Sequence, residues 1–341
     1  MLFKIYAGID VSKLTLDVLI RETKSHKQFK NNSDGFCLLV QWLEKQTKEP
    51  LDSVLVCFEH TGLYSLPLAL FLEERKIPFS MISALEIKRS LGITRGKNDF
   101  IDSKRIAEFA YRFRDKITRT KLPVKDIRRI QSLLALRERL VTSMSGYTVS
   151  LNETLGTMNK EDFPELFSTY QTMIDALKEE IKKLEKAINT IIQGNEQLMT
   201  SFKLLTSIKG IGFIVAVNLI VYTHNFTRFD SWRKFACYCG IVPFDCLSGT
   251  SVRGRTQVSA IANKQVKKIL HLAAMSAVHY DNELREYYMR RQEEGKPKMA
   301  IINIVRNKLV SRAFAVVKRG TPFVDIKKYA VRKKRSNIKT S

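Results

Sequence analysis

The sequence predicts a mixed α/β domain at its N-terminal end and a mainly helical second part. In the first stretch, apolar residues alternate at Ile5, Ala7 and Ile9, and alternation resumes from Leu14 to Ile20 after a short polar turn, as expected for two strands with a buried face. Past Pro123 the strand signal stops and charged helical patterns take over. Strands followed by alternating strands and helices are typical of a mixed α/β domain.

The other elements of the first domain follow from apolar runs and their breaks. Residues 53–58 read Ser-Val-Leu-Val-Cys-Phe, which predicts a buried strand, and the shorter run at 78–82 predicts another. Helical patterns cover 35–48, 65–75 and 99–112. We place the end of this domain at residue 122.

A long helical region follows. Residues 125–155 predict one charged helix, and a second helix carries apolar residues at alternating spacings of three and four: Ile174, Leu177, Ile181, Leu184, Ile188 and Ile191. This spacing is typical of the a/d seam of a coiled coil, and we assign 123–200 to a helical coiled-coil arm. The seam could pair with another subunit or pack within its own chain, and the spacing does not distinguish the two.

The chain is strongly basic. Its 341 residues hold 58 Lys and Arg against 34 Asp and Glu, a net charge of +24, which favours a nucleic acid as partner. A hydrophobic content of 44% argues against disorder. The longest apolar run, 211–222, holds Asn218 and is shorter than the roughly 18 residues of a membrane span. With five cysteines and no visible signal peptide, we expect a cytoplasmic protein, neither secreted nor in a membrane.

Four acidic residues occupy positions that suit a metal site. Asp10 and Glu59 each close an apolar strand, where ligands of α/β sheets often bind. Asp99 and Asp102 are three residues apart on one predicted helix and so share a face. All-oxygen ligation suits Mg²⁺, and two such ions could hold the attacking and leaving oxygens of a phosphodiester. The alternative is that Asp99 is a helix-start charge and Asp102 lies on a solvated face.

The order of these four acids resembles the RuvC-like branch of the ribonuclease H fold. Three stretches, Gly-Ile-Asp-Val-Ser-Lys, Glu-His-Thr-Gly and Gly-Lys-Asn-Asp-Phe-Ile-Asp-Ser-Lys-Arg-Ile-Ala, closely resemble the DEDD transposases of bacterial insertion sequences, the insertion sequence 110 family. The resemblance implies that residues 1–122 form a RuvC-like nuclease domain in which Asp10, Glu59, Asp99 and Asp102 bind Mg²⁺.

The resemblance also implies an activity and partners. The protein would be the DNA transposase, or recombinase, of a mobile element, with the element ends and the target DNA as substrates. Relatives act as dimers and tetramers, and some use a non-coding bridge RNA, which makes a homo-oligomer and a guide RNA candidate partners here. A location at the bacterial nucleoid follows from the same resemblance.

A glycine turn marks the start of a second domain, which we assign to 201–318. The segment 207–216 reads as the end of a helix, a Gly-Ile-Gly turn and a second helix. In a helix-hairpin-helix, backbone N–H groups at such a turn bind a phosphate, so Lys209, Gly210 and Gly212 are candidate nucleic-acid contacts. A plain turn between two packed helices has the same pattern.

The stretch from Tyr238 to Ala260 predicts a loop-rich region that carries a second resemblance. The family has a Gly-x-x-Pro segment followed by Ser-Gly, and the matching residues here are Gly240, Pro243, Ser248 and Gly249. The resemblance implies that Ser248 is the nucleophile, which a serine oxygen can be by forming a covalent phosphoserine link to DNA. From the residues alone, a structural loop serine is the alternative, and Thr250 and Ser251 are neighbouring candidates.

Basic residues follow Ser248 and could grip the DNA backbone: Arg253, Arg255, Lys264, Lys267 and Lys268. The chain ends in a basic tail, 319–341. Relatives often have glycine where this chain has Ala262, which puts the family matching of Lys264 in question.

Two other functions fit the sequence. One is a metal-dependent, RuvC-like junction endonuclease in which Ser248 is structural. The other is a non-enzymatic basic protein that binds DNA or RNA. A divalent-ion requirement would separate the enzymes from the binding protein, and a covalent protein–DNA adduct would separate the recombinase from the endonuclease.

Overall fold

The structure, a computed structural model, describes residues 3–90, 98–248 and 252–325. The chain divides into two compact units, Met1–Leu122 and Pro123–Ser341. No helix in these described ranges is both long enough and apolar enough to cross a membrane.

The first unit is built on a five-stranded sheet. Its strands are β1 (Ile5–Val11), β2 (Thr15–Ile20), β3 (His26–Lys30), β4 (Val54–Glu59) and β5 (Phe79–Ile82). The spatial order is β3-β2-β1-β4-β5. Strands β1, β2 and β3 pair antiparallel, whereas β4 runs parallel to both β1 and β5. The carboxyl ends of β1 and β4 therefore lie side by side.

Helices cover both faces of this sheet. They are α1 (Ser33–Thr47), α2 (Leu66–Glu74), α3 (Ala84–Ser90) and α4 (Asp99–Arg112). One face packs against α1 and α2, with Phe36, Leu39 and Leu72 buried against Ile9. The opposite face packs against α4, where a second core forms from Tyr6, Leu55, Cys57, Ile82, Ile87, Ile106, Phe109 and Ala110.

The second unit is mainly helical. Its helices are α5 (Lys125–Leu155), α6 (Pro164–Gln193), α7 (Glu196–Thr206), α8 (Phe213–Thr223), α9 (Trp232–Tyr238), α10 (Lys264–Tyr280), α11 (Asn282–Glu293) and α12 (Lys298–Arg319). One hydrophobic core joins the N-terminal part of α5 and the C-terminal end of α6 to helices α7 to α12. Its fully buried residues include Ile130, Ile220, Phe235 and Leu309.

The apolar seam of α6 packs within its own chain. Ile174, Ile181 and Ile188 are buried, α6 packs along α5, and Arg137 of α5 donates to Glu185 of α6 at 2.7 Å. Of the two arrangements that the spacing allows, the structure therefore shows the intrachain one, a two-helix hairpin.

The region from Tyr238 to Ala260 contains a β-hairpin, so the prediction that it is loop-rich was wrong. Strands β6 (Pro243–Ser248) and β7 (Val252–Val258) pair antiparallel, with a register shift between Phe244 and Cys246. The strands are short, β7 reads Val-Arg-Gly-Arg-Thr-Gln-Val and β6 begins at a proline, so neither shows the sustained apolar alternation that marks a buried strand.

Candidate functional site

The close approach of α4 to β1 begins at Gly8. A Cβ built there would lie 2.2 Å from the Ser103 carbonyl oxygen and 2.3 Å from the Ala107 nitrogen. Ser103 is fully buried, so the backbone of α4 rests directly on β1. Because side chains two residues apart on a strand share a face, Asp10 lies on this same α4-facing side of the sheet.

Glu59 lies on that side too. Gly8 pairs with Cys57 across the parallel strands, so the next residues on the same face are Asp10 and Glu59, at adjacent strand ends. From α4 come Asp99 and Asp102, both in the first turn of the helix, which Asn98 caps by accepting from the Ile101 N–H. Three elements thus bring the four predicted acids to one edge of the sheet.

The electrostatics of Asp10 reflect this grouping. Burial and, after it, the negative charges of Asp102, Asp99 and Glu59 together raise the pKa of Asp10 to about 6. Like charges held together favour a protonated acid or a bound cation. Asp102 has a cationic neighbour, because Arg105 donates to its Oδ1 at 2.8 Å.

The donor set fits a divalent metal in its chemistry. Carboxylate oxygens are what Mg²⁺ prefers, and burial together with the neighbouring acids disfavours the charged form of Asp10, which a bound cation would offset. Within residues 3–90, 98–248 and 252–325, however, no three Asp, Glu, His or Cys side chains converge closely enough to ligate one ion. The acids share an edge of the sheet, and their side chains would have to come closer together to bind one ion.

A fifth acid, Asp17, was missed by the sequence prediction. Asp17 is the direct partner of Asp10 in the β1–β2 register, and its negative charge also raises the pKa of Asp10. It is 6% exposed, and it accepts from Gln28 Nε2 at 2.9 Å and lies 3.3 Å from His26 Nε2. The available signal was an acid inside the apolar run Leu-Asp-Val-Leu-Ile.

Ser248 is the last residue of β6, opposite Val252. The structure describes its backbone, and its side chain lies outside the described atoms, as do residues 249–251 and the side chains of Arg253 and Arg255. Ser248 therefore sits at the end of a hairpin strand.

The basic residues predicted to contact DNA differ in whether they already form an ion pair within the chain. Lys264 is exposed at the start of α10, and Lys267 is half-buried. Lys268 forms a 2.9 Å ion pair with Glu138 of α5, and Lys209 lies 3.3 Å from Asp325.

The two glycines of the predicted phosphate-binding turn have different surroundings. Gly210 has a φ of +90°, and a Cβ there would lie 2.5 Å from the Ala277 side chain, so its missing side chain allows α10 to pack closely. Gly212 begins α8 and has open space at its Cβ position. Of the two, only Gly212 has the open side that an approaching phosphate requires.

The fold of the first unit and its acidic edge define a DEDD nuclease-like class. Residues 7–159 match the model of DEDD transposases of the IS110 type, described as a transposase. Residues 202–289 match the model described as "Transposase IS116/IS110/IS902 family".

Similar proteins extend this match. The chain is 25% identical over 332 residues to the pilin gene-inverting protein of Moraxella lacunata, which covers 94% of this chain and 98% of that protein. The protein of the same name from Moraxella bovis gives the same values. An uncharacterized 43.6 kDa protein of insertion element IS110 from Streptomyces coelicolor is 30% identical over 149 residues, 43% of this chain and 35% of that protein.

This chain belongs to the IS110 family of DEDD transposases. It is a DNA transposase, or recombinase, and its substrate is DNA, which rules out the non-enzymatic binding protein. Membership also points to the use of a divalent metal.

Proposed function

We propose that this transposase cuts and rejoins DNA with a Mg²⁺-dependent acidic site in its first unit and a covalent serine in its second. The observation that carries the proposal is the placement of Asp10, Glu59, Asp99 and Asp102 by β1, β4 and α4 at one edge of the sheet, where burial and the neighbouring charges raise the pKa of Asp10. Without a cation, the mutual repulsion of four carboxylates from three elements on one face of the sheet is unfavourable.

The order β3-β2-β1-β4-β5, with three antiparallel strands followed by two parallel ones, supports a RuvC-like ribonuclease H architecture for the first unit. Asp10, Glu59, Asp99 and Asp102 would hold the metal. When bound, Mg²⁺ supplies Lewis-acid activation of the phosphodiester. Asp17, which accepts from Gln28 and lies beside His26, links β2 to β3 next to Asp10.

In the second unit we assign the nucleophile to Ser248. Its Oγ forms a bond to phosphorus as one backbone P–O bond breaks; the serine loses its proton and the released DNA hydroxyl gains one. A hydroxyl of the second DNA strand then attacks the same phosphorus: the new backbone P–O bond forms, the P–Oγ bond breaks, the attacking hydroxyl loses its proton and the serine regains one, which completes the exchange. The position of Ser248 at the end of β6 and directly before Gly249 in the sequence supports this role, because glycine has no side chain to keep a phosphate away.

Similarity to the pilin gene-inverting proteins over nearly the whole chain supports recombination over cleavage alone. We retain three further proposals from the family resemblance: a helix-hairpin-helix contact at Gly212, a homo-oligomeric active form and a guide RNA. Light scattering tests the oligomer, and ribonuclease treatment before a recombination assay tests the RNA.

The experiment is a recombination assay with Mg²⁺ and a matched set of acid-to-amide variants. Asp10→Asn and Asp102→Asn should each abolish strand exchange and remain folded by circular dichroism, because a two-ion clamp fails without one carboxylate. Asp34→Asn is the control, since Asp34 lies exposed in the first turn of α1, on the helix that covers the opposite face. Wild-type recombination by Asp10→Asn would remove the metal site from the mechanism.

A further inference from the structure

Arg306 of α12 is a buried cation without a carboxylate partner. It is 6% exposed, and its guanidinium contacts His271 Nδ1 at 2.6 Å and Asn303 Oδ1 at 3.4 Å. Its Nε is buried with no hydrogen-bond partner among the described residues. Every Asp and Glu of the sequence lies within the described ranges, and none of them forms an ion pair with Arg306.

Such an arginine is costly. Taking a charge out of water is unfavourable unless an anion or full hydrogen bonding offsets the lost hydration. Burial lowers the pKa of Arg306, because the lost hydration disfavours the charged guanidinium. An anion supplied from outside the chain would offset it.

His271 of α10 is only half-buried and links the buried Arg306 to the protein surface. Arginine can only donate, so His271 Nδ1 is the acceptor of the 2.6 Å bond. The imidazole is then neutral with its proton on Nε2, and burial together with Arg306 lowers its pKa. His271 therefore presents one N–H donor, which the buried guanidinium behind it polarises.

The surrounding surface is basic. His271 follows Lys264, Lys267 and Lys268 at helical spacings of seven, four and three residues, so all four side chains share one side of α10. The opposite side of α10 is buried through Val266, Leu270, Ala273, Ala274 and Ala277.

We propose that His271, backed by Arg306, binds a backbone phosphate of the DNA substrate. Arg306 acts as a positioning residue: it fixes the imidazole tautomer and adds positive potential, and His271 Nε2–H donates to the phosphate oxygen. The proposal rests on the DNA transposase activity and adds one phosphate contact to it.

The contact between Arg306 and His271 lies near the start of the β6–β7 hairpin that carries Ser248. Asn303, which accepts from Arg306, also donates to the Ile241 carbonyl at 2.8 Å, and Asn307 donates to the same oxygen at 2.9 Å. Ile241 stands two residues before β6. A phosphate held at His271 would therefore be held against the helices that anchor the hairpin.

The test is the affinity of a fluorescein-labelled duplex DNA, measured by anisotropy in EDTA so that metal-dependent chemistry is absent. His271→Ala should weaken binding about tenfold or more, the effect of one hydrogen bond to a charged group. His271→Gln should retain most of the affinity, because the glutamine amide places a donor near the former Nε2. His279→Ala is the matched control, since His279 is an exposed histidine two turns further along the same helix.

A second variant tests Arg306 itself. Arg306→Lys keeps the charge and loses the geometry that fixes His271, so binding should weaken as in His271→Ala, with circular dichroism showing a retained fold. Equal affinities of His271→Ala and His279→Ala would overturn the proposal, and so would a His271→Gln variant as weak as His271→Ala. If His271→Ala weakened the binding of single-stranded RNA and left the binding of duplex DNA unchanged, the phosphate would belong to an RNA partner. Because EDTA removes the metal, failure of the acidic site would leave these results unchanged.

Discussion

Gly8 decides how closely α4 approaches the strand that carries Asp10. Gly8→Ala would drive a methyl group into the Ser103 carbonyl oxygen, 2.2 Å away, and the Ala107 nitrogen, 2.3 Å away. We expect the first unit to lose about 1–3 kcal/mol of unfolding free energy or more, because neither backbone atom can yield cheaply.

This loss is measurable by urea unfolding. The chain has two tryptophans, and in a Trp232→Phe background the fluorescence of Trp42 reports on the first unit. The control is Gly146→Ala, in the middle of α5 with nothing within 4 Å of the added Cβ. Since the added methyl group meets nothing and lies in the second unit, this control should leave the unfolding transition reported by Trp42 unchanged. A Gly8→Ala protein of wild-type stability would contradict the packing of α4 on β1.

Asp10 makes the metal-free first unit less stable as pH rises. The pKa of Asp10 is about 6 in the folded protein, against an ordinary value of 3.8. Between these two pH values the carboxyl group is ionised in the unfolded chain and still protonated in the folded one. Unfolding free energy therefore falls as pH increases from about 4 to 6, by at most about 3 kcal/mol.

The measurement is urea unfolding of the Trp232→Phe protein in EDTA at pH 5 and pH 7.5. Asp10→Asn should show a smaller fall between the two pH values than its parent, because the amide does not titrate. Adding Mg²⁺ at pH 7.5 should stabilise the parent more than Asp10→Asn. An identical pH dependence of the two proteins would contradict the assigned electrostatics of the site.

At the scale of elements, apolar periodicity predicted most of the structure. The strands β1, β2, β4 and β5 and the long helices α4 and α5 lie within a residue or so of their predicted positions, because each buries a regular apolar face. β3, with the sequence His-Lys-Gln-Phe-Lys, was missed since only Phe29 is buried in this edge strand. The hairpin β6–β7 was missed for a related reason, as its strands bond mainly to each other.

The candidate site was partly predictable for a similar physical reason. An acid that closes an apolar run stands out, so Asp10 and Glu59 were visible, and helical spacing joined Asp99 to Asp102. Asp17 was invisible because its link to Asp10 exists only in the strand register. The pairing of Arg306 with His271 joins two helices 35 residues apart in sequence, which no local pattern encodes.

The hairpin of α5 and α6 yields a prediction about the seam. Ile181 is 8% exposed, so Ile181→Ala should cost the second unit about 2–4 kcal/mol. Lys182→Ala, at the next and exposed position, should change stability by less than about 0.5 kcal/mol. Unfolding followed by Trp232 fluorescence in a Trp42→Phe background measures both. If Ile181→Ala left stability intact and reduced the size of the assembly in sedimentation, the seam would belong to a subunit interface.

For the whole molecule, the net charge of +24 should make DNA binding steeply dependent on salt. Each neutralised phosphate contributes about −0.9 to the slope of log affinity against log salt on duplex DNA. Deleting residues 327–341, which hold seven Lys or Arg and no acid and lie outside the described residues, should flatten the slope. The deleted chain should still bind, through basic residues such as Lys264. A slope near zero for the full chain would contradict an electrostatic DNA interface.

The central claim is that an acidic metal site and Ser248 together carry out strand exchange through a covalent intermediate. A denaturing gel with end-labelled DNA, nicked to trap the intermediate, tests it most directly, followed by peptide mapping of the adduct. The account predicts a Mg²⁺-dependent adduct on Ser248 in the wild type, none in Ser248→Ala and none in Asp10→Asn, with Thr250→Ala and Ser251→Ala as controls that keep it. An adduct that persists in Ser248→Ala or maps to Ser251 would contradict the assignment of the nucleophile, and an active wild type with no adduct at all would show a metal-dependent nuclease without a covalent serine.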